Sequence, residues 1–187
     1  MMIAKVVSVN VGELCSVPWN GDEIITGIFK KSVPGQIKLL KLGLDGDTQA
    51  DLSVHGGPNK AVYAYPSEHY EYWKEKLHSK NISWGYFGEN LTTKHILENS
   101  VHVGDQFRIG SGEVVVTQPR FPCYKLGVRV GDMNMVRKFQ ASGRSGFYMA
   151  VIKEGEVGEG DTIELLREHT TNPTIAQVFT SQGHGSV

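Results

Sequence analysis

Short stretches of alternating apolar and polar residues, separated by glycine-rich turns, make up most of this chain. Alternation with a period of two is typical of β-strands that bury one face. It predicts strands at residues 3–11, 24–29, 37–42, 61–65, 106–109, 114–117, 146–152 and 162–166. Gly110-Ser111-Gly112 predicts a hairpin turn between two of them. Residues 16–23 lack the alternation and are predicted to form a loop.

Apolar residues recur with helical spacing in only a few places. One helix is predicted from Ser67, the N-cap, to about His78. A second helix starts after Asp132 and runs to Gln140, with Gly143 as its left-handed C-terminal residue. A third, short helix is expected within residues 172–179. Many short strands and few helices predict a mainly β fold (α+β by content), as a barrel or a sandwich.

The composition is that of a soluble globular protein, with 40% hydrophobic residues and a net charge of −1 among 187 residues. This charge gives no general attraction to nucleic acid or to anionic membranes, so neither partner is expected. The N-terminal residues are too short and too polar for a signal peptide, and no apolar run is long enough to span a membrane. We therefore expect a cytoplasmic protein whose two cysteines are reduced.

The segment 118–125 places Cys123 directly after a predicted strand and between stiff, proline-containing turns. Pro119 and Pro122 fix their own φ and push the preceding residues toward extended geometry, so we expect this segment to be non-helical. Arg120 lies close to the thiol in sequence. Such a thiol suits a metal ligand or a nucleophile, although a free cysteine is equally often a small buried apolar residue.

A second polar segment, residues 43–60, contains an unusual concentration of acidic residues and glycines. Asp51 and His55 have the spacing of helical metal ligands, but Gly56-Gly57-Pro58 ends any helix there. His55 beside a carboxylate suits a general base, a ligand or a hydrogen-bond donor, while the alternative is that both residues stabilise a turn. The bare N–H groups of Gly56 and Gly57, with the ammonium of Lys60, are typical of a phosphate site.

Two shorter segments are further candidates. Residues 26–30 contain Thr26 and Lys30, and residues 87–91 contain Glu89 and Asn90. Cys15 is interpreted as structural. No spacing of Cys and His residues matches a zinc site.

Together these segments resemble the MOSC family, and within it the bacterial YiiM-type branch. The matching stretches occur in family order across about residues 1–167. They are TGIFK (26–30), LGLDGDTQADLSVHGGPNKAVYAY (42–65), FGENLT (87–92), VGDQFRIG (103–110) and QPRFPCYKL (118–126).

The resemblance implies a distorted MOSC-type β-barrel at residues 1–167 and a C-terminal tail at residues 168–187 with a short helical remnant. It also implies binding of the molybdenum cofactor, with Cys123 as the ligand of the metal. The cofactor would be bound by side chains and backbone groups from several segments. These are Thr26, Lys30, Gly56, Gly57, Lys60, Asn90 and Arg120.

The activity that the resemblance implies is reductive cleavage of the N–O bond of N-hydroxylated compounds, such as hydroxylaminopurines. His55, supported by Asp51, would then donate a proton to the departing oxygen. Since the sequence has no flavin, haem or iron–sulfur motif, a separate reductase is expected to supply electrons. The YiiM branch typically continues into a C-terminal helical domain, so functions that depend on it, such as docking of the donor or a homodimer, stay open.

Three other functions remain possible at this stage. Cys123 would serve a sulfur carrier as a persulfide, or the chain would bind the cofactor without catalysis. A cysteine hydrolase using Cys123 and His55 is disfavoured because the sequence indicates no helix N-terminus or oxyanion hole beside the cysteine.

Overall fold

The computed structural model describes residues 3–48 and 56–183. Within these residues the chain is mainly β, as the sequence predicts, with short helices at its periphery. The strands are Lys5–Val11 (β1), Cys15–Trp19 (β2), Asp22–Thr26 (β3), Lys31–Ser32 (β4), Gln36–Leu40 (β5), Gly43–Leu44 (β6), Val62–Pro66 (β7), Leu91–Lys94 (β8), Gln106–Ile109 (β9), Gly112–Pro119 (β10), Phe147–Lys153 (β11), Gly155–Gly158 (β12) and Ile163–Arg167 (β13). The helices are His69–Lys76 (α1), Tyr124–Val130 (α2), Met135–Ser142 (α3) and Ile175–Gly183 (α4).

The main sheet has eight strands in the order β13-β9-β10-β11-β7-β8-β1-β4. All its neighbours are antiparallel except β7 and β8. The sheet curls until β1 meets the start of β13, where Val6 N–H donates to Asp161 O at 2.9 Å and Ile163 N–H donates to Ala4 O at 2.8 Å. These bonds do not extend into a ladder among the described strands, so the fold is a distorted barrel that stays open.

Two apolar clusters stabilise the fold. One fills the sheet, and the other is largely aromatic and joins β7 to α1 and α3. In the second cluster Trp73 stacks on Phe139 with ring centroids 5.6 Å apart, and its indole N–H donates to the Tyr65 hydroxyl at 2.6 Å. Because aromatic pairs stabilise beyond the area they bury, this cluster holds the helices firmly against the sheet.

The predicted loop at residues 16–23 is wrong, because these residues belong to the β2–β3 hairpin. The chain reverses at Asn20 (φ 51°) and Gly21 (φ 90°). Two consecutive positive φ angles are typical of the type I′ turn, whose twist matches paired strands, and Asn-Gly is its strongest sequence signal. The sequence therefore contained a hairpin signal that the lack of alternation had masked.

Residues 118–125 were predicted to be non-helical, and this prediction is wrong for the last two residues of the segment. Helix α2 begins at Tyr124, so Cys123 is its N-cap residue, with extended geometry (φ −120°, ψ 174°). Proline restricts itself and the residue before it, so Pro122 places no limit on residues from Tyr124 onward. The helix ends at Gly131, which has the left-handed φ of 74°.

The other helices confirm the predicted positions within a few residues. Helix α3 ends before Gly143, whose φ of 70° is left-handed as predicted. Helix α4 forms the short C-terminal helix. No described helix is both long and apolar enough to cross a membrane.

Candidate functional site

One pocket gathers side chains from segments that are far apart in sequence. It is lined by Thr26, Gly27, Ile28, Lys30, Thr48, Lys60, Tyr63, Gly88, Asn90, Arg120, Phe121, Cys123, Lys125 and Tyr148. The sequence-predicted residues that the structure brings together here are Thr26, Lys30, Lys60, Asn90, Arg120 and Cys123. The roles assigned to these residues remain predictions.

The remaining predicted residues are placed differently. Gly56 and Gly57 lie within the described part of the chain, outside the set that lines the pocket. Gly57 instead starts the turn Pro58–Lys60, where its carbonyl accepts a hydrogen bond from Lys60 N–H at 3.0 Å. Asp51 and His55 lie outside the described residues.

Cys123 is half-buried at the wall of the pocket. Its carbonyl accepts a hydrogen bond from Leu126 N–H at 2.9 Å in the first turn of α2, which fixes the backbone that carries the thiol. Its sequence neighbours Phe121 and Tyr124 are 36% and 48% exposed. The thiol thus lies on a rigid backbone near two aromatic side chains that solvent reaches.

Arg120 is a charged residue of the pocket whose side chain is buried, with only 6% exposure. Its guanidinium carbon lies 5.0 Å from the ring centre of Tyr63 and 5.4 Å from that of Phe139. The Nη1 atom is buried and has no hydrogen-bond partner among the described residues. An unpartnered buried donor is costly, so Nη1 is suited to bind an acceptor atom of a ligand.

The electrostatic surroundings keep Arg120 charged. Burial lowers the pKa of the guanidinium, but the nearby Tyr63, Tyr148 and Cys123 outweigh burial and raise that pKa above its usual value. Burial also raises the pKa of both tyrosines, so their hydroxyls stay protonated at neutral pH. Arg120 is therefore a permanent cation beside two neutral phenols.

Lys30, by contrast, is already paired. Its ammonium contacts the carboxylate of Asp47, and both side chains are buried. The same carboxylate accepts hydrogen bonds from Asn90 Nδ2–H at 2.8 Å and from Gly12 N–H at 2.8 Å. Burial lowers the pKa of Lys30, while Asp47 opposes that shift. The charge of Lys30 is thus compensated within the protein.

Asn90 is held on both sides. Its amide nitrogen donates to Asp47, and its Oδ1 accepts from Tyr63 N–H at 3.0 Å. Its neighbour Glu89 is buried, and the carboxylate accepts from Tyr70 Oη–H, Gly85 N–H at 2.9 Å and Phe87 N–H at 3.1 Å. These contacts fix the segment before β8 and stabilise the pocket wall.

Close backbone approach explains the glycine in TGIFK. A Cβ atom at Gly27 would lie 2.2 Å from the carbonyl oxygen of Thr48, so any side chain there would displace the backbone. Gly88 has a φ of +85°, and a Cβ there would lie 2.8 Å from Cγ1 of Ile28. Both glycines allow the segments around the pocket to meet.

Sequence reasoning missed Asp47, Tyr63, Lys125 and Tyr148. The first two stand inside the quoted stretch 42–65, but nothing in the pattern distinguished Asp47 from other turn carboxylates. Tyr148 lies on a strand that the alternation predicted. The alternation identified the buried face of that strand, but it did not show that Tyr148 lines a pocket. Lys125 contacts the β2–β3 hairpin, where its Nζ donates a hydrogen bond to Ile25 O at 3.2 Å.

The donor set does not favour a bare metal ion. Within residues 3–48 and 56–183, no group of three His, Cys, Asp or Glu side chains is arranged to hold one. The pocket instead combines one thiol with Arg120, Lys60 and Lys125, a set that suits an anionic ligand.

Comparison with known proteins identifies the family. The model of the MOSC domain matches residues 51–164. The chain belongs to the MOSC domain family. Over 162 residues, this MOSC protein is 45% identical to the uncharacterised protein YflK of Bacillus subtilis, covering 87% of the chain and 73% of YflK.

Two further proteins are similar to the chain. The crystal structure of YiiM from Geobacillus stearothermophilus superimposes with a TM-score of 0.80 at 30% identity, over 97% of the chain and 84% of that structure. A protein of Gibberella moniliformis named "Reductase" is 34% identical over 149 residues, which cover 78% of the chain and only 26% of that protein. The YiiM-type MOSC fold is thus shared, and the pocket lies within it.

Proposed function

We propose that this MOSC protein binds the molybdenum cofactor in the pocket and reduces N-hydroxylated compounds with it. The observation that carries the proposal is the buried, permanently charged Arg120, whose Nη1 lacks a partner in the described protein and which lines the pocket together with Cys123.

The pocket residues fit such a ligand. The phosphate of the cofactor needs N–H donors and positive charge, and an arginine binds phosphate through two parallel hydrogen bonds. Arg120, Lys60 and Lys125 would hold the phosphate, because the charge of Lys30 is used by Asp47. Cys123 offers a soft thiolate, which is a suitable ligand for a thiophilic metal.

The overall reaction converts a hydroxylamine, two electrons and two protons into an amine and water. When bound, the cofactor supplies a two-electron metal centre that accepts the oxygen atom. A separate reductase supplies the electrons. The chain itself binds the cofactor and orients the substrate, and its protonated Tyr148 lines the pocket as a hydrogen-bond donor.

His55 is proposed as the proton donor to the departing oxygen, with Asp51 orienting its ring. A histidine titrates near neutral pH, so its loss should change the pH dependence of turnover. Replacing it by His55→Gln tests this role: full turnover with an unchanged pH profile would show that His55 donates no proton.

Sulfur transfer is the second candidate, because the same geometry also suits a persulfide. Cys123 is half-buried beside a buried cation, and positive charge favours the thiolate that carries sulfur.

A cysteine hydrolase was disfavoured because the sequence indicated no helix N-terminus beside the cysteine. The structure removes that objection, since Cys123 is the N-cap residue of α2. That helix has only seven residues, so we do not propose hydrolysis.

The experiment that tests the proposal is reduction of 6-hydroxylaminopurine. Protein made in cells competent for cofactor synthesis is supplied with an electron-donor reductase, and adenine formation is followed. Native protein should form adenine, and the Cys123→Ser variant should not. Bound cofactor without any reduction of hydroxylamines would instead indicate a binding module.

A further inference from the structure

Phe121 lines both the pocket and a second cavity. That cavity, which we call the amide groove, has a volume of about 520 Å³ and lies between β10 and α4. It is lined by Val103, Thr117, Gln118, Phe121, Asn172, Pro173, Val178 and Gln182. Its size is within the range of small-molecule sites in proteins.

The amide groove and the pocket differ in charge. The pocket is lined by Lys30, Lys60, Arg120 and Lys125, whereas none of the residues that line the amide groove is ionisable. A charged ligand group would gain no partner in the groove and would lose hydration there. The two cavities therefore suit different parts of a ligand: an anion in the pocket and a neutral group in the amide groove.

The ring of Phe121 is fixed and partly open. It stacks on Phe179 of α4, with centroids 5.3 Å apart and planes at 24°. It remains 36% exposed, although most aromatic side chains of the second cluster, such as Trp73 and Phe139, are fully buried. An aromatic ring that is fixed by stacking on one face can stack on a planar ligand group with its other face.

The polar groups of the groove are amides with hydrogen-bonding capacity left. The side chains of Gln118 and Gln182 make no hydrogen bond to any described residue, and both are at least partly accessible. The Asn172 side chain donates to Val103 O at 2.6 Å, and Val103 N–H donates to Pro173 O at 3.1 Å, which holds the far wall. A primary amide presents a donor and an acceptor side by side, which matches the edge of a planar heterocycle.

We propose that the amide groove binds the uncharged, planar ring of the substrate, with the ring stacked on Phe121 and its edge hydrogen-bonded to Gln118 and Gln182. The N-hydroxyl group then reaches past Phe121 toward Cys123. This last step rests on the proposed function, but ring binding does not. The site selects neutral aromatic or heterocyclic compounds over aliphatic ones of the same size.

Binding to the cofactor-free protein tests this inference. Nicotinamide and cyclohexanecarboxamide are neutral at pH 7.5 and carry the same primary amide, but only nicotinamide has a planar aromatic ring. Each is titrated into ¹⁵N-labelled protein, and the shifts of the side-chain amide signals are followed. Nicotinamide should shift Gln118 and Gln182, and cyclohexanecarboxamide should bind more weakly by about fivefold or more.

Matched variants complete the test. Phe121→Leu keeps an apolar side chain but cannot stack, so the Kd for nicotinamide should rise about fivefold or more. Tyr124→Leu removes the exposed aromatic next to Cys123 that does not line the groove, so it should leave the Kd within about twofold of native. If Phe121→Leu does not fold, two other variants test the site. Phe121→Trp should retain nicotinamide binding, and Gln118→Ala should weaken it.

Equal binding of the two compounds, an unchanged Kd in Phe121→Leu, or shifts confined to Arg120 and Lys60 would overturn the inference. These outcomes are independent of reduction. A protein that binds nicotinamide at Phe121 but never reduces a hydroxylamine would refute the proposed function and leave the groove in place.

Discussion

The carboxylate of Asp47 binds the ammonium of Lys30 inside the wall of the pocket, where both side chains are buried. This pair changes which cation a ligand meets, because a compensated lysine attracts an anion weakly. The guanidinium carbon of Arg120 lies 5.0 Å from the ring centre of Tyr63, and this buried positive charge has no carboxylate partner among the described residues. We therefore expect a bound anion to contact Arg120.

The ion pair itself can be tested by stability. Lys30→Met leaves the charge of Asp47 buried without its cation, so the free energy of unfolding should fall by about 3–5 kcal/mol. The double variant Lys30→Met with Asp47→Asn removes both charges and should recover much of that loss. Urea unfolding of the native protein, both single variants and the double variant measures the coupling. Losses that simply add would show that the two side chains do not interact.

Arg120 should control anion binding. Arg120→Met removes a charge-assisted donor, which is worth about 1.5–3 kcal/mol, so the Kd for inorganic phosphate should rise at least about tenfold in the cofactor-free protein. Calorimetric titration measures this change. Lys138→Met is the matched control, because Lys138 is exposed on α3 and pairs with Asp132 at 2.7 Å. Equal losses in the two variants would indicate a general charge effect and would contradict a site at Arg120.

The sequence predicted the main strands and the family motifs because both depend on local signals. Alternation identified β1 and β7, and the proline and glycine segments identified the neighbourhood of Cys123. It did not predict that Lys30 would be neutralised, because Asp47 is one of several carboxylates in the same turn-rich segment. Only the approach of β1, β3 and the segment before β8 selects Asp47 as the partner.

The sequence also did not predict the groove beside Phe121. Phe121 and Phe179 are 58 positions apart by their residue numbers, and their stacking depends on how α4 returns to β10. The apolar residues of a short helix predict that it packs against the rest of the protein, but they do not identify the surface that it covers. Side-chain contacts between distant segments therefore could not be predicted from the sequence.

Buried tyrosines predict how the protein responds to alkali. Burial raises the pKa of Tyr63, Tyr65, Tyr70 and Tyr148 above the usual value of 10.0. Above pH 10 the unfolded chain releases protons that the folded chain keeps, so the folded state binds more protons and loses stability as pH rises. The free energy of unfolding should fall by about 1.4 kcal/mol per pH unit for each such tyrosine.

Difference absorbance near 295 nm follows this ionisation while circular dichroism follows folding. Among the seven tyrosines of the chain, the four whose pKa is raised should ionise at higher pH than the others, and the fully buried Tyr63, Tyr65 and Tyr70 should ionise only as the protein unfolds. The Tyr148→Phe variant should show a shallower loss of stability with pH. Ionisation of all tyrosines near pH 10 in a still folded protein would contradict their burial.

The metal content of the purified protein shows whether the pocket holds the molybdenum cofactor. Native protein and the Cys123→Ser variant are prepared from cells competent for cofactor synthesis, and molybdenum and cyanide-labile sulfur are measured per chain. We expect about one molybdenum atom per native chain and its loss in the variant, with the fold retained. A cyanide-labile persulfide on Cys123 without molybdenum would show that the protein is a sulfur carrier and not a molybdenum reductase.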